Sequence, residues 1–380
     1  MNFRYCLHAF IVGMAIFSMF FGGGNLTFPL WMGSETTSIS SSSLGFIISG
    51  VLLPCFGIVI SLLFDGNYER FLGTWGKIIG SILTFTLLLF WIPLGSGPRC
   101  NLLAYGAYSC PFGTGISLWV YSAIYSVIVY VLTYQKNRIL EILGSIITPL
   151  LITCIFFLVY SVLTQSSEAS MNVIPSHLNW NDFFSSLFAG YNTMDFIAAI
   201  FFSSVVIGLI KEKQGKKFDL RFVRDACLIA ITLLSIVYIG MIFIGKMNAD
   251  ILIGVPKDQL LIAIGQTMFH KNLQIVIFVI ITLSVLSTSI ALSLVFSDYL
   301  RKIIFKEKLD HKTCLLISVL SSFLISTIGF SKLAILISYA MAILYPFLLM
   351  ITSSALVNKI RERKSQNLRD SCLSDVLGPK

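Results

Sequence analysis

Apolar residues run along this chain in long blocks separated by short polar segments. A hydrocarbon core about 30 Å thick takes roughly 20 apolar residues of helix to cross. Blocks of that kind lie at about 9–32, 44–64, 78–98, 115–134, 143–163, 184–210, 226–245, 273–298, 313–330 and 333–355. They predict ten transmembrane helices, because backbone groups in lipid have to be paired within their own segment. The runs are too long and too continuous for barrel strands. Gly329, Ser331 and Lys332 mark the division between the last two. The fold class expected is therefore an all-α polytopic membrane protein.

Composition agrees: 56% of residues are hydrophobic, 12% are charged and the mean hydropathy is +0.87, which excludes a soluble domain. The net charge of +9 raises nucleic acid as a partner, and the placement of the charges removes it. With the N-terminus inside and the sides alternating, only Arg99, Lys246, Lys257, Lys271 and Lys332 of the 27 basic residues fall outside. That asymmetry is the positive-inside pattern. It predicts a multi-pass protein of the cell membrane with both termini cytoplasmic and basic loops near anionic headgroups of membrane lipid. There is no zinc module and no aromatic-basic strand pattern, so no nucleic acid is expected. The first block outruns a signal peptide and lacks a clear cleavage site, so it is expected to stay as an anchor. Cys100 and Cys110 share a predicted outer loop, where they either pair or serve as small apolar residues.

Two blocks carry breaks. The first holds Phe21-Gly22-Gly23-Gly24-Asn25-Leu26-Thr27-Phe28-Pro29. Each glycine weakens a helix by up to about 1 kcal/mol against alanine, and Thr27 with Pro29 can restart one. The sixth holds Gly190-Tyr191-Asn192-Thr193-Met194-Asp195. A centred Asp costs about 2.5–3.5 kcal/mol to insert, so Asp195 is expected to face protein, water or an ion. The two blocks run in opposite directions, the signature of a five-plus-five inverted repeat with broken helices 1 and 6. Residues 1–163 and 164–356 would be the two repeats and 357–380 a basic cytoplasmic tail. At a break, free N–H groups at the start of one half-helix suit a carboxylate and free carbonyls at the end of the other half suit a cation, so two crossing breaks could hold a small neutral zwitterion without Arg or Lys. Glycines also serve close helix packing, and Asp195 could simply cap a helix; both alternatives stay open. The eighth block adds a hydroxyl run from Thr282 to Ile290, equally able to bond its own helix.

The Phe21–Pro29 stretch, the Gly-Tyr-Asn-Thr-Met-Asp string at 190–195 and the segment from Pro93 to Arg99 together resemble the branched-chain amino acid:cation symporters, the LIVCS family. The likeness runs in order to about residue 355 and places the chain near the amino acid–polyamine–cation superfamily. The resemblance implies import of Leu, Ile and Val by symport. It implies that Gly22, Gly23, Gly24 and Asn25 bind substrate together with Gly190, Tyr191, Asn192 and Asp195. It also implies that Ser287 and Thr288, with carbonyls near Ser18 and Phe21, hold Na⁺, H⁺ being the other possible coupling ion. Family members usually continue for two more spans, where this chain turns polar near Asn358. No cofactor, no catalytic residue and no obligate protein partner is expected.

The apolar residues Leu260, Leu261, Ile264 and Met268 in the outer segment 251–270 predict either a lid or an interfacial helix. Another neutral amino acid is the alternative substrate. An integral membrane transferase would need a catalytic acid or His cluster, yet His8, His177, His270 and His311 are scattered and Asp310-His311 reads as a solvated turn.

Overall fold

Glycine and proline decide where the helices of this bundle stop, bend and touch. The computed structural model describes residues 3–113, 115–165, 178–214, 220–268, 271–328, 339–340 and 343–361, and every regular element among them is helical. The first apolar block is split into α1 (Phe3–Phe20) and α2 (Gly23–Glu35), whose axes bend by 71°. Four long helices complete the first half: α3 (Ile39–Leu63), α4 (Lys77–Phe112), α5 (Leu118–Tyr134) and α6 (Ile139–Thr164). The second half opens with another split pair, α7 (Trp180–Tyr191) and α8 (Asp195–Gln214). Then come α9 (Leu220–Met247), α10 (Leu260–Met268), α11 (Lys271–Tyr299), α12 (His311–Ile328) and α13 (Ile343–Arg361). By length and apolarity, seven helices among the described residues qualify as spans and the bent α1–α2 pair makes an eighth. The expected ten requires counting the shorter α5 and α12 as well. The expected division at Gly329–Lys332 lies outside the described residues.

Prolines are absorbed without ending the helices. A proline lacks an N–H and presses on the carbonyl four residues back. Wider π turns at Ile48–Leu52, Ile92–Ser96 and Leu143–Ile147 precede or contain Pro54, Pro93 and Pro149, and relieve that clash. One consequence corrects the sequence expectation. The third span does not stop near residue 98; α4 runs on to Phe112, so Cys100 and Cys110 share a helix rather than a loop. Ten residues of helix separate them by about 15 Å, beyond the roughly 7 Å limit for bridging, and both are free thiols.

Small residues bring α9 against both parts of the first break. A Cβ on Gly245 would stand 3.0 Å from the Gly33 Cα, and one on Gly13 would stand 2.8 Å from the Ile229 Cβ. Such contacts let helix backbones touch where lipid supplies no hydrophobic drive. Phe17, Phe21, Phe46, Phe196 and Phe201 fill the interior, while Ile78, Ile82, Phe156 and Tyr160 are exposed on the outside, as a lipid-facing surface requires.

Candidate functional site

The α1–α2 break interrupts the backbone ladder. The Phe17 and Phe20 carbonyls still accept from the Phe21 and Gly22 N–H groups, both at 2.8 Å, whereas the Ser18 carbonyl has lost its backbone donor one turn on; α2 begins at Gly23, so its first N–H groups have no acceptor one turn back. Gly22 is extended between them (φ −104°, ψ −167°). The Gly22 N–H donates to the Asn25 side-chain oxygen at 3.3 Å, which closes the turn. In the second break, Met194 sits in the left-handed region at φ +63°, which stops α7 before Asp195 opens α8. Such a backbone costs a non-glycine residue about 1–2 kcal/mol.

The two breaks meet through side chains. Asn25 Nδ2 donates to Asp195 Oδ2 at 2.5 Å and also to the Tyr238 hydroxyl. The Tyr238 hydroxyl in turn donates to the same carboxylate oxygen at 3.0 Å. All three residues are buried, which makes this closed triangle a strong positioning device. Beside it lies a cavity of about 60 Å³, walled by Gly22, Gly23, Gly24, Asn25, Asn192, Thr193, Asp195 and Thr288 and by apolar Trp91, Leu103, Ala198, Phe202 and Leu292. By the same measure a single water needs about 10–15 Å³, so the cavity has room for a small solute's polar head.

Next to the cavity, hydroxyls of α11 meet the open carbonyls of α1. Ser287 Oγ donates to the Ser18 carbonyl at 2.7 Å and Ser284 Oγ donates to the Phe21 carbonyl at 2.7 Å. Among the described residues, Thr288 Oγ1 and Ser18 Oγ are buried and have no hydrogen-bond partner. Ser18, Phe21, Ser287 and Thr288, singled out from sequence, thus come together. Ser284 joins them; one turn before Ser287 on the same helix face, it was legible by spacing alone.

Gly190 and Tyr191 are placed elsewhere. A Cβ on Gly190 would run into Ser49 Oγ and stand 3.1 Å from the Gly50 nitrogen, so this glycine serves the packing of α7 on α3. The Tyr191 ring sits 3.9 Å from that of Tyr345 and lines a lateral apolar cleft with Ile48, Leu52 and Phe56. Two residues that sequence reasoning passed over take part instead. Tyr238 stands alone in an apolar run, and a buried phenol needs a partner. Arg99, assigned to the outer side by charge, also lines the cavity.

Above the cavity, Arg99 bridges to Asp258 at 2.7 Å, and the Lys257 ammonium lies 3.2 Å from the Trp31 ring centroid. Burial pushes the Lys257 ammonium below its ordinary range, while Glu35 and Asp258 oppose that shift. Leu260, Leu261 and Ile264 are buried, and α10 packs on α2 and α11 rather than lying apart. The Met268 side chain lies outside the described residues. At the opposite end, Lys136 and His311 face Asp298 at 2.9 and 3.9 Å, so His311 is turned into the protein instead of a solvated turn. His177 and His270 lie outside the described residues.

Comparison with known proteins agrees with this architecture. Solved structures give a TM-score of 0.59 to MHP1, a nucleobase-cation-symport-1 family transporter in a closed conformation with bromovinylhydantoin bound, at 19% identity over 91% of this chain and 77% of that one. They give 0.54 to MhsT in complex with L-phenylalanine, at 15% identity over 85% and 79%. The chain shares their fold. Proteins of Staphylococcus aureus strains USA300 and MRSA252, named as branched-chain amino acid carrier proteins, are 26% identical over 373 residues, covering 93% of this chain and 82% of theirs. The profile described as branched-chain amino acid transport protein matches residues 6–377. The chain belongs to the branched-chain amino acid transport protein family.

Proposed function

We propose that this chain imports Leu, Ile and Val across the cell membrane by symport with a cation, Na⁺ in the first place. The observation that carries this reading is the meeting of two helix breaks at one cavity beside a set of oxygens. Ser18 and Phe21 carbonyls with Ser284, Ser287 and Thr288 hydroxyls are hard, neutral oxygen donors, which suit a hard cation. The hydroxyl protons now on those carbonyls can rotate away when the lone pairs turn to an ion. The exposed carbonyls also sit at the negative end of α1, which favours positive charge.

The amino acid fits the neighbouring cavity by its charges. Its carboxylate suits the first N–H groups of α2 at Gly23 and Gly24, and its ammonium suits Asp195, already oriented by Asn25 and Tyr238. Trp91, Phe202 and Leu292 offer an apolar wall for a branched side chain. Ranking among the three substrates turns on single methylenes, worth only about 1–3 kcal/mol.

The test is leucine uptake into proteoliposomes under an imposed Na⁺ gradient, a pH gradient, both or neither, with competition by all twenty amino acids. Acceleration by Na⁺ and competition confined to Leu, Ile, Val and related apolar amino acids are expected. Uptake indifferent to both gradients removes the coupling. A product other than intact leucine would favour the transferase reading.

A further inference from the structure

Among the residues walling the central cavity, the charged ones are Asp195 and Arg99. Arg99 belongs to the α4 segment that restarts after the π turn at Ile92–Ser96. Leu103, one turn on and therefore on the same face, is the side chain that a Cβ on Gly23 would strike. Arg99 thus stands on the wall facing the start of α2, where the N–H groups of Gly23 and Gly24 open. Its guanidinium carries five N–H donors in a planar fork. Nη2 bonds Asp258 and the Arg99 guanidinium carbon lies 6.0 Å from the Phe28 ring centroid, so the group is held in place from two sides.

We propose that Arg99 is a specificity-determining residue that reads the carboxylate of the substrate, in concert with the first turn of α2. This rests on the amino-acid reading above. An arginine and an aspartate lining one cavity make it complementary to a zwitterion once the guanidinium turns a free N–H toward the ligand. An amine without a carboxylate satisfies only Asp195. Because the same guanidinium bridges to Asp258, recognition of the carboxylate is tied to the seating of the outer segment that carries α10.

Two ligands separate this role from that of a plain outer latch: leucine, and leucinamide, which keeps the ammonium and side chain but has no carboxylate. Binding is read as thermal stabilisation of purified protein in detergent, and transport as uptake into proteoliposomes. Wild type is expected to bind leucine at least about tenfold more tightly than leucinamide, as a charge-assisted forked contact implies. Arg99→Gln should weaken leucine about tenfold or more and leave leucinamide within about threefold. Arg99→Lys keeps the charge without the fork and should fall between; it reads the same ratio if Arg99→Gln does not fold. Asp258→Asn should keep the preference for leucine. Equal loss of both ligands in the Arg99 variants, or leucine binding unchanged, overturns the proposal. A wild type that binds neither ligand defeats the amino-acid reading itself, and shows this before any variant is compared.

Discussion

Asn25 ties the first break to the second and to α9. Both amide protons go to α8 and α9, and its oxygen takes the Gly22 N–H. Hydrogen bonds to charged groups are worth about 1.5–3 kcal/mol, and an orphaned buried acceptor costs more than a missing pair. Asn25→Ala is therefore expected to lower the melting temperature of purified protein more than Tyr238→Phe does. The latter keeps the ring, which packs edge-on to Phe46 at 5.0 Å; equal melting temperatures for wild type and both variants would contradict the triangle. Ser287 makes a separable prediction. Ser287→Ala removes a hydroxyl from the oxygen set but touches no wall of the cavity. The Na⁺ concentration for half-maximal leucine uptake should rise at least about tenfold, the equivalent of one lost ligand worth about 1.4 kcal/mol. The half-saturating leucine concentration at high Na⁺ should move little, and a shift in leucine alone would count against Ser287 as a cation ligand.

At the scale of elements, what could be read in advance was where helices cannot continue. Three glycines at 22–24 and the run from Gly190 to Asp195 announced both breaks, because glycine, capping residues and a buried acid each have few alternatives in lipid; the exact points differ, since the helix resumes already at Gly23 rather than at Thr27 and holds through Gly190 to Tyr191. What could not be read was which side of a helix meets which neighbour. Gly190 and Tyr191 share the motif of the second break, yet they turn toward α3 and α13. Arg99 carried no sign of reaching inward, because the π turn that aims its helix follows from tertiary accommodation of Pro93. The extension of α4 to Phe112 was hidden for the same reason: Pro98 looks like a stop, but in a first helical turn its missing N–H costs nothing. The packing role of Gly190 can be tested directly. Gly190→Ala drives a methyl into Ser49 Oγ, an overpacking expected to cost about 1–3 kcal/mol and to lower the melting temperature. Removing that hydroxyl in a Gly190→Ala, Ser49→Ala double variant should recover part of the loss, because the Gly50 nitrogen at 3.1 Å and the Phe46 carbonyl at 3.2 Å still crowd the methyl, with leucine affinity unchanged throughout. A fall in leucine affinity in either variant would show that Gly190 matters for something other than room.

On the scale of the whole molecule, charge pairs stand at both ends of a central cavity. Arg99–Asp258 bridges α4 to the outer segment, and Lys136–Asp298 ties the α5–α6 connection to the end of α11. The second pair borders a cavity of about 260 Å³ that also takes in Asp65, Glu69 and Ser204. The symport proposed above requires one end to loosen while the other stays shut, so on that reading weakening one pair should shift the balance between two arrangements. The Asp298 carboxylate is mostly buried and bonds Lys136 at 2.9 Å, so its loss leaves that ammonium without its partner. Removing one member of a buried pair is far more disruptive than removing a surface pair. Asp298→Asn is thus expected to favour the arrangement open at the Ser204 end. In a cysteine-free background with a single Ser204→Cys, a membrane-impermeant maleimide applied to that face should label several times faster in Asp298→Asn than in its parent. Saturating leucine and Na⁺ should slow labelling in both if they bind at the breaks as proposed, since they would then favour the closed cavity through differential affinity. Asp258→Asn serves as the opposite arm: loosening the far end should leave Ser204→Cys labelling no faster, and slower if the two ends are coupled. Equal acceleration by both variants would mean that the pairs merely hold the bundle together, because loss of general stability opens both ends at once.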